Sequence, residues 1–345
     1  MEALKIYDKA RISALIHQRE GETKLGEQVQ LFSGWEQLKD SPAPFVLLGI
    51  PEDIGVRANH GIAGAATAWL PALKALLNTQ SNSFLNGNEL TVLGHFEFSA
   101  PEQSPLEKAN PEQPNSAGIS QKTSLKYLEN AVAEIDEQVY PVIQKIIEAG
   151  KIPIVIGGGH NNAYPILRGC ALGFKKPMDV LNIDAHADLR PTQGRHSGNG
   201  FSYALQHQFL QHYAIFGLHQ NYNNSAILSE ISDNPNINAV FFEELLSTDH
   251  SCQIELHPLL SGLTNNTGLE IDLDCIENVL SSAFTPSGFQ LNDIRKIILQ
   301  SKKKFAYLHV CEGAAQMSDG RESSATAKTI AYLVTDFIKA QLHYL

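Results

Sequence analysis

The feature that most limits the folds open to this chain is a series of short segments that are apolar from end to end. They alternate with longer segments whose apolar residues have helical spacing. Strands without polar alternation are buried on both faces, and their alternation with helices is typical of a parallel sheet. We therefore predict an α/β fold, a three-layer α/β/α sandwich with a central, mostly parallel sheet. The predicted strands are FVLLG, ELTVLGHFE, IPIVIGG, MDVLNID, YAIFGLH, INAVFFEE, GLEIDLD and FAYLHVC.

Two segments have helical spacing that is easily read. The sequence AWLPALKALLN predicts a helix despite Pro71 near its start, and a longer pattern runs from Thr123 to Gly150, the predicted C-cap. Residues 101–120 are polar and rich in proline, which predicts an excursion or mobile loop. Because no linker or repeat interrupts the pattern, we interpret 1–345 as one domain with an N-terminal segment, 1–44.

Charge and cysteine usage exclude several classes of function. The net charge is -11 and the longest basic run is KKK at 302–304, so the basic stripe that nucleic acid requires is missing. The N-terminus lacks the apolar core of a signal peptide, and no stretch approaches the roughly 18 apolar residues of a membrane span. The cysteines have no CxxC spacing, which disfavours a disulfide frame or a zinc knuckle. We expect a cytoplasmic protein with a small-molecule substrate and no nucleic-acid or membrane partner, while a homo-oligomer stays open.

Polar side chains of metal-ligand type follow three of the predicted strands. The carboxyl ends of parallel strands meet at one edge of a sheet, where sites form. In an extended strand, alternate side chains point the same way, so D-x-H-x-D and D-x-D would each face one pocket. The residues concerned are His160, Asp184, His186, Asp188, Asp272 and Asp274.

This set of four carboxylates and two imidazoles would need a cation, because the carboxylates could not otherwise all stay ionised together. Four carboxylates can bridge two ions, and an oxygen-rich set without thiolates suits Mn²⁺ or another hard to borderline divalent ion. Each residue alone has a simpler explanation, since a strand-end Asp is often a helix N-cap and a His is often structural. The Gly triplet before His160 could also cradle a phosphate, but it has neither GxGxxG nor Walker spacing.

The motifs GGGHN, DAHAD and EIDLD, in this order, resemble the three metal signatures of the ureohydrolase superfamily of arginases, agmatinases and formimidoylglutamases. The similarity runs from about Phe45 to the C-terminus. It implies a single arginase-like catalytic domain with two manganese ions per subunit, whose shared hydroxide attacks an amidine-type carbon. Glu312, in HVCEG, matches the late glutamate that holds the cationic C–N group of the substrate. The implied ligand sets are His160, Asp184, Asp188 and Asp272 for one ion, and Asp184, His186, Asp272 and Asp274 for the other.

Other motifs favour one branch of this superfamily. GVRANHGIAGA resembles the GVxxNxGRxGA stretch of formimidoylglutamases, with Ile62 where Arg is common. DLR and HSGNGF resemble their DLR…SGTPF pattern, with Asn199 and Gly200 in place of Thr and Pro. Arginases have Asn at the position of Arg190 and a proton-shuttling His at that of Phe201. The chain therefore looks closest to the formimidoylglutamases.

The substrate of that branch, N-formimidoyl-L-glutamate, carries two carboxylates, and arginine is a natural bidentate clamp for each. Arg57, Arg190 and Arg195 all lie in loops after site-forming strands. We predict that they bind the substrate, with hydrogen bonds added by Ser197 and Asn199. The alternative is that these arginines pair with surface acids or with the ligand carboxylates.

Proton transfer to the leaving amine needs a donor outside the ligand set. His219, at the end of YAIFGLH, is the predicted donor, with His196 and His309 as second choices and His60 as a weaker one. The alternative is that His219 is structural.

The predicted activity is hydrolysis of N-formimidoyl-L-glutamate to L-glutamate and formamide, a step of histidine degradation, with Mn²⁺ as cofactor. A guanidino hydrolase, such as arginase or a guanidino-acid hydrolase, is the alternative, because arginases share the SGN tripeptide. Metal-dependent deacetylases hold one zinc and have paired pocket histidines, which we do not find. A non-catalytic relative normally has broken ligand motifs, whereas all six ligand types are present here.

Overall fold

A central sheet organises the computed structural model, which describes residues 3–98, 117–248 and 252–345. Its strands in this part of the chain are β1 (Leu4–Ile6), β2 (Gln30–Leu31), β3 (Phe45–Gly49), β4 (Leu90–Phe96), β5 (Ile152–Ile156), β6 (Met178–Ile183), β7 (Leu210–Leu218), β8 (Ile237–Phe241), β9 (Thr267–Asp272) and β10 (Tyr307–Cys311). Their order is β1-β4-β3-β5-β10-β9-β6-β7-β8, with β2 beside β4 off this path. β1 runs antiparallel to β4, and the other pairings among the described strands are parallel.

Helices follow most of these strands. They are α1 (Lys9–Ser13), α2 (Trp35–Asp40), α3 (Ile54–Ala58), α4 (Trp69–Leu77), α5 (Ala117–Glu148), α6 (Ala163–Phe174), α7 (Gly200–Gln206), α8 (Ser225–Asp233), α9 (Phe242–Leu246), α10 (Cys252–Ser261), α11 (Leu291–Gln300) and α12 (Ala325–Leu342). No helix among the described residues is long and apolar enough to cross a membrane. All four cysteines lie in the described ranges and are unpaired.

Two apolar clusters, one on each face of the sheet, form the core. In β3, Val46 and Leu48 belong to the cluster that includes α5 and α6, whereas Phe45 and Leu47 belong to the cluster that includes α4, α11 and α12. Because alternate strand residues point to opposite faces, helices cover the sheet on both sides. The predicted three-layer α/β/α sandwich with a mostly parallel sheet is confirmed.

The N-terminal segment, 1–44, takes part in the sheet. Residues 1–44 supply β1 and β2, which both pair with β4, and Trp69 Nε1 donates a hydrogen bond to the Tyr7 hydroxyl at 3.1 Å. Strands of two or three residues are too short for hydrophobic periodicity to reveal them.

The long helix begins earlier than its apolar spacing indicated. α5 starts at Ala117, six residues before Thr123, so residues 117–120 of the predicted excursion are helical. The rest of that excursion, 101–116, lies outside the described residues. At the other end, Gly150 has φ +73° and donates its N–H to Ile147 O at 2.8 Å, which confirms the predicted C-cap.

Candidate metal centre

The predicted ligand residues meet at one edge of the sheet, where the carboxyl ends of β5, β10, β9 and β6 lie side by side. His160 follows β5, Asp184 follows β6, and Asp272 is the last residue of β9. His160 Nδ1 lies 3.2 Å from Asp184 Oδ2, 3.0 Å from Asp188 Oδ2 and 3.2 Å from Asp272 Oδ2. The structure therefore gathers all four residues of the first implied set around one point.

A second group adjoins the first and shares Asp184 with it. His186 Nδ1 is 3.2 Å from Asp274 Oδ2 and 3.6 Å from Asp184 Oδ1. Asp184, His186 and Asp274 could hold a second ion, with Asp184 between the two. Asp272, expected in both sets, is grouped only with the first among the described residues.

Loops, rather than strand alternation, bring these side chains together. β6 ends at Ile183, and Asp188 has φ +50°, a left-handed conformation that Asp tolerates better than most residues. Asp274 lies in the short 3₁₀ turn Leu273–Cys275, with its N–H donated to Asp272 Oδ1 at 2.9 Å. The expectation of an extended D-x-H-x-D and D-x-D was wrong in its geometry, because both strands end before the motifs do.

The site has the features of one built for cations. His160 Nδ1 and Asp274 Oδ1 are buried without a hydrogen-bond partner among the described residues, an arrangement that costs free energy unless an ion or water is bound. Burial, with Asp274 and Asp184 beside it, raises the pKa of Asp272 well above its usual value, and burial also raises the pKa of Asp188. The carboxylates cannot all be ionised until positive charge arrives, so the residues fit divalent ions.

Glu312 lies next to this group at the end of β10. It is buried with φ +61°, and its Oε1 accepts the N–H of His160 at 2.8 Å. Burial raises its pKa to about 8. The predicted late glutamate is therefore brought to the centre, where it also supports the backbone of His160.

Glu52, which sequence reasoning missed, holds the same loop from the other side. Its Oε1 accepts hydrogen bonds from Gly159 N at 3.1 Å, Asn161 Nδ2 at 3.1 Å and Asn162 Nδ2 at 2.6 Å. Its Oε2 accepts the N–H of Ile54 at 2.7 Å. The only signal in the sequence was an acidic residue three positions after the end of the buried strand β3.

A cavity of about 350 Å³ opens above the carboxylates. Its lining combines ligand residues with residues of α3, α8 and several loops. These residues are Val56, Asn59, Gly61, His186, Asp188, Arg190, Ser197, Tyr222, Asn223, Asn224, Ile227, Asp272, Asp274, Ser282, Ala283 and Glu312. The size suits a small molecule.

Of the five residues predicted to bind substrate, Arg190 and Ser197 line this cavity. Ser197 Oγ accepts a hydrogen bond from Asn59 Nδ2 at 3.1 Å, and Arg190 is exposed. Arg57 is exposed at the end of α3 and is not part of the lining. The structure therefore brings one of the three predicted arginines to the cavity.

Arg195 and Asn199 have structural positions, which corrects their predicted role. Arg195 is 5% exposed, and its Nε and Nη2 donate to Asp136 of α5 at 2.7 and 3.0 Å. Its Nη2 also donates to Asn161 O at 2.8 Å, and its Nη1 to Asn199 Oδ1 at 2.9 Å. Asn199 in turn donates to Gly194 O at 2.7 Å. With these groups engaged and buried, neither side chain is free to clamp a substrate.

The candidate proton donors also lie away from the cavity. His219 is buried, with its ring 4.8 Å from that of Phe242 and 5.2 Å from that of Tyr222, both nearly parallel to it, and burial lowers its pKa. His309 is fully buried against Glu270. Neither lines the cavity, so the donor prediction lacks geometric support.

The two other candidate proton donors, His196 and His60, also lack geometric support. His196 accepts the N–H of Gly198 on its Nδ1 at 3.2 Å, and burial, with Arg190 nearby, lowers its pKa to about 4. His60 is exposed and outside the lining. Phe201, at the position of the arginase shuttle histidine, is fully buried with its ring edge-on to His160 at 5.0 Å.

Known proteins resemble this chain over most of its length. Residues 43–338 match the sequence profile of the arginase family. The formimidoylglutamase of Hahella chejuensis is 28% identical over 264 residues, 72% of this chain and 68% of that protein, and that of Geobacillus thermodenitrificans is 26% identical over 241 residues, 67% and 72%. The crystal structure of Bacillus subtilis formimidoylglutamase superposes with a TM-score of 0.72 at 14% identity, over 95% of this chain and 94% of that one. Trypanosoma cruzi formiminoglutamase with Mn²⁺ gives 0.67 at 18% identity, over 92% and 98%.

Proposed function

The chain belongs to the arginase family, and within this family of hydrolases we propose that it cleaves the amidine C–N bond of N-formimidoyl-L-glutamate. The products would be L-glutamate and formamide, as in histidine degradation. The observation that carries the proposal is a pair of adjacent ligand groups beside a cavity that Arg190 lines. One group is His160, Asp184, Asp188 and Asp272, and the other, which shares Asp184, is Asp184, His186 and Asp274. Curated formimidoylglutamases among its relatives support the choice of substrate.

Two Mn²⁺ ions are the proposed cofactors. His160, Asp184, Asp188 and Asp272 would hold one ion, and Asp184, His186 and Asp274 the other. When bound, such ions supply positive charge that polarises the substrate and activates water for attack on the amidine carbon. The mixture of carboxylate and imidazole ligands, without a thiolate, suits manganese.

Glu312 would hold the formimidoyl group. Its carboxylate faces the cavity beside the ligand residues, and its pKa of about 8 reflects burial in a place already rich in carboxylates. Positive charge in the centre would lower that pKa and leave Glu312 ionised at neutral pH. The carboxylate could then accept N–H groups of a cationic amidine and orient its carbon toward the centre.

Arg190, which lines the same cavity, would bind a carboxylate of the substrate. Among the lining residues in the described part of the chain it is the one arginine, and no lysine accompanies it. Its guanidinium can pair with a carboxylate through two parallel N–H bonds. Ser197, held by Asn59, lies in the same wall and could add a hydroxyl hydrogen bond.

A guanidino-acid hydrolase is the second candidate, and one observation favours it. N-formimidoyl-L-glutamate has two carboxylates, yet Arg57 and Arg195 do not line the cavity with Arg190. A guanidino acid has a single carboxylate, which a single arginine could satisfy.

A side-by-side assay of the Mn²⁺-loaded protein distinguishes these substrates. N-formimidoyl-L-glutamate, arginine, agmatine and guanidino acids would be supplied at equal concentrations, with formamide and urea measured separately. We expect formamide release from N-formimidoyl-L-glutamate at the highest kcat/KM. Urea release from guanidino acids alone would establish the second candidate, and turnover of arginine alone would contradict both.

A further inference from the structure

Glu270, on β9, is a buried carboxylate that the proposed chemistry leaves unused. It is fully buried two residues before Asp272. It accepts the Tyr307 hydroxyl at 2.6 Å, and its Oε2 lies 2.5 Å from His309 Nδ1. The same Oε2 is 3.5 Å from Nε2 of His160. A buried carboxylate thus lies between two buried imidazoles.

The pairing of β9 with β10 brings Glu270, His309 and Tyr307 together. Glu270 and His309 are directly opposite each other in the parallel pairing of β9 and β10, and Tyr307 is opposite Gly268. A Cβ at Gly268 would lie 2.1 Å from Cε1 of the Tyr307 ring. The glycine therefore leaves space for the tyrosine, whose hydroxyl then reaches Glu270.

The orientation of the His160 ring indicates which of its nitrogens needs a hydrogen-bond acceptor. Its Nδ1 faces the three aspartates of the first ligand set, so Nδ1 must offer its lone pair to an ion held there. The ring proton must then be on Nε2, which is buried and has no hydrogen-bond partner among the described residues. A buried N–H without an acceptor is costly, whereas a carboxylate acceptor fixes the tautomer and the ring direction and strengthens the ligand.

We propose that Glu270 is a positioning residue for metal binding: it accepts the Nε2 proton of His160 and so presents Nδ1 to the ion of the first set. Tyr307 and His309 hold the carboxylate in place. His309 Nε2 is also 3.4 Å from Gly157 O, in the loop that leads to His160. His309 therefore acts through this network and needs no contact with the cavity.

The test compares manganese binding by the wild type, Glu270→Gln and a matched control. Glutamine offers one acceptor oxygen to three donors and turns its own N–H₂ toward at least one of them. The control is Asp179→Asn, which removes the charge of another buried carboxylate paired with a histidine, His212 Nδ1 at 2.9 Å, at the amino end of β6. Stoichiometry and affinity would be measured by calorimetry and by electron paramagnetic resonance of Mn²⁺.

We expect Glu270→Gln to bind one of the two ions about 10- to 100-fold more weakly, the range usual for such outer partners of a ligand. At stoichiometric Mn²⁺ it should show isolated-ion resonance in place of the spin-coupled pair. Asp179→Asn should keep both affinities within about threefold, because it leaves the acceptor beside His160 Nε2 untouched. Unchanged binding by Glu270→Gln would overturn the proposal, as would equal weakening in both variants, since that would indicate a general loss of stability.

Glu270→Asp provides the second variant if Glu270→Gln does not fold. It keeps the charge but withdraws the carboxylate from His160, so we expect a smaller weakening of the same ion, and unchanged affinity would count against the role. The inference rests on the proposed metal centre. A wild type that binds no Mn²⁺ would contradict that centre, whereas a wild type with two ions and an insensitive Glu270→Gln would contradict the role of Glu270 alone.

Discussion

The floor and the wall of the cavity are built in different ways. The floor consists of four proposed ligands, His186, Asp188, Asp272 and Asp274, and of Glu312, which all lie at the ends of neighbouring strands of the sheet. The wall is made by loop residues, chiefly Asn59, Arg190, Ser197 and Tyr222. On the floor, the order of the strands brings the loops and turns that follow them to one edge of the sheet, and these loops and turns carry the side chains. In the wall, two arginines five residues apart in one loop have opposite environments, one exposed at the cavity and one buried on Asp136.

This difference teaches which kind of residue a strand can place. A parallel sheet delivers the residues after its inner strands to one edge, so their neighbourhood follows from order and register. The position of a loop residue depends instead on the hydrogen bonds that it makes. Changes in the floor should therefore abolish function, changes at loop anchors should cost stability, and changes at the cavity wall should alter substrate affinity.

The largest effect is expected from the floor. Asp274→Asn removes a carboxylate 3.2 Å from His186 Nδ1 and should weaken one ion, with kcat/KM falling about 10³-fold or more because charge stabilisation by an ion contributes several kcal/mol. Metal content by mass spectrometry and a formamide assay would measure both effects. Asp319→Asn, an exposed carboxylate paired with Arg321, is the control. Full activity with unchanged metal content would remove Asp274 from the proposed ligands.

The next effect should be on stability, at the loop anchor. Arg195→Met leaves Asp136 buried without its partner, which typically costs about 3–5 kcal/mol of the free energy of unfolding. Burial already raises the pKa of Asp136, and loss of the guanidinium would raise it further. Because the folded state then holds its proton more tightly than the unfolded state, the deficit should be largest at alkaline pH and shrink as pH falls.

Urea unfolding at several pH values would measure this deficit. The double variant Asp136→Asn/Arg195→Met should recover part of the stability, because no unpaired charge is left. If Arg195→Met were instead as stable as the wild type and raised only KM, Arg195 would belong to the substrate clamp after all.

Part of the fold and of the site could be predicted from the sequence, and part could not. The fold, the positions of β3 to β10 and the meeting of His160 with Asp184, Asp188 and Asp272 could be predicted, because buried strands and strand-end polar residues leave a clear pattern. The positions of Arg195 and Glu52 could not. Arg195 depends on hydrogen bonds to Asp136, 59 positions away, and Glu52 on one from Gly159, 107 positions away, and no periodicity encodes such contacts.

A moderate effect is expected from the exposed arginine of the wall. Arg190→Ala should raise KM for an anionic substrate about 10- to 100-fold, since a charge-assisted pair contributes roughly 1.5–3 kcal/mol, while leaving metal content intact. Arg57→Ala, which changes an exposed arginine outside the cavity, is the matched control and should have little effect. Equal KM values in the two variants would exclude Arg190 from carboxylate binding.

The smallest effect on activity is expected from His219, which lies outside the cavity lining. His219→Phe keeps an aromatic ring beside Phe242 and Tyr222 but removes both ring nitrogens. If His219 donated the proton to the leaving amine, kcat should fall about 10²- to 10⁴-fold, the usual contribution of a general acid. Its buried position outside the cavity lining leads us to expect a change of less than about threefold instead, well below that contribution. A measured fall in kcat of the larger size, with KM and metal content unchanged, would show that the wall moves during turnover and brings His219 to the substrate.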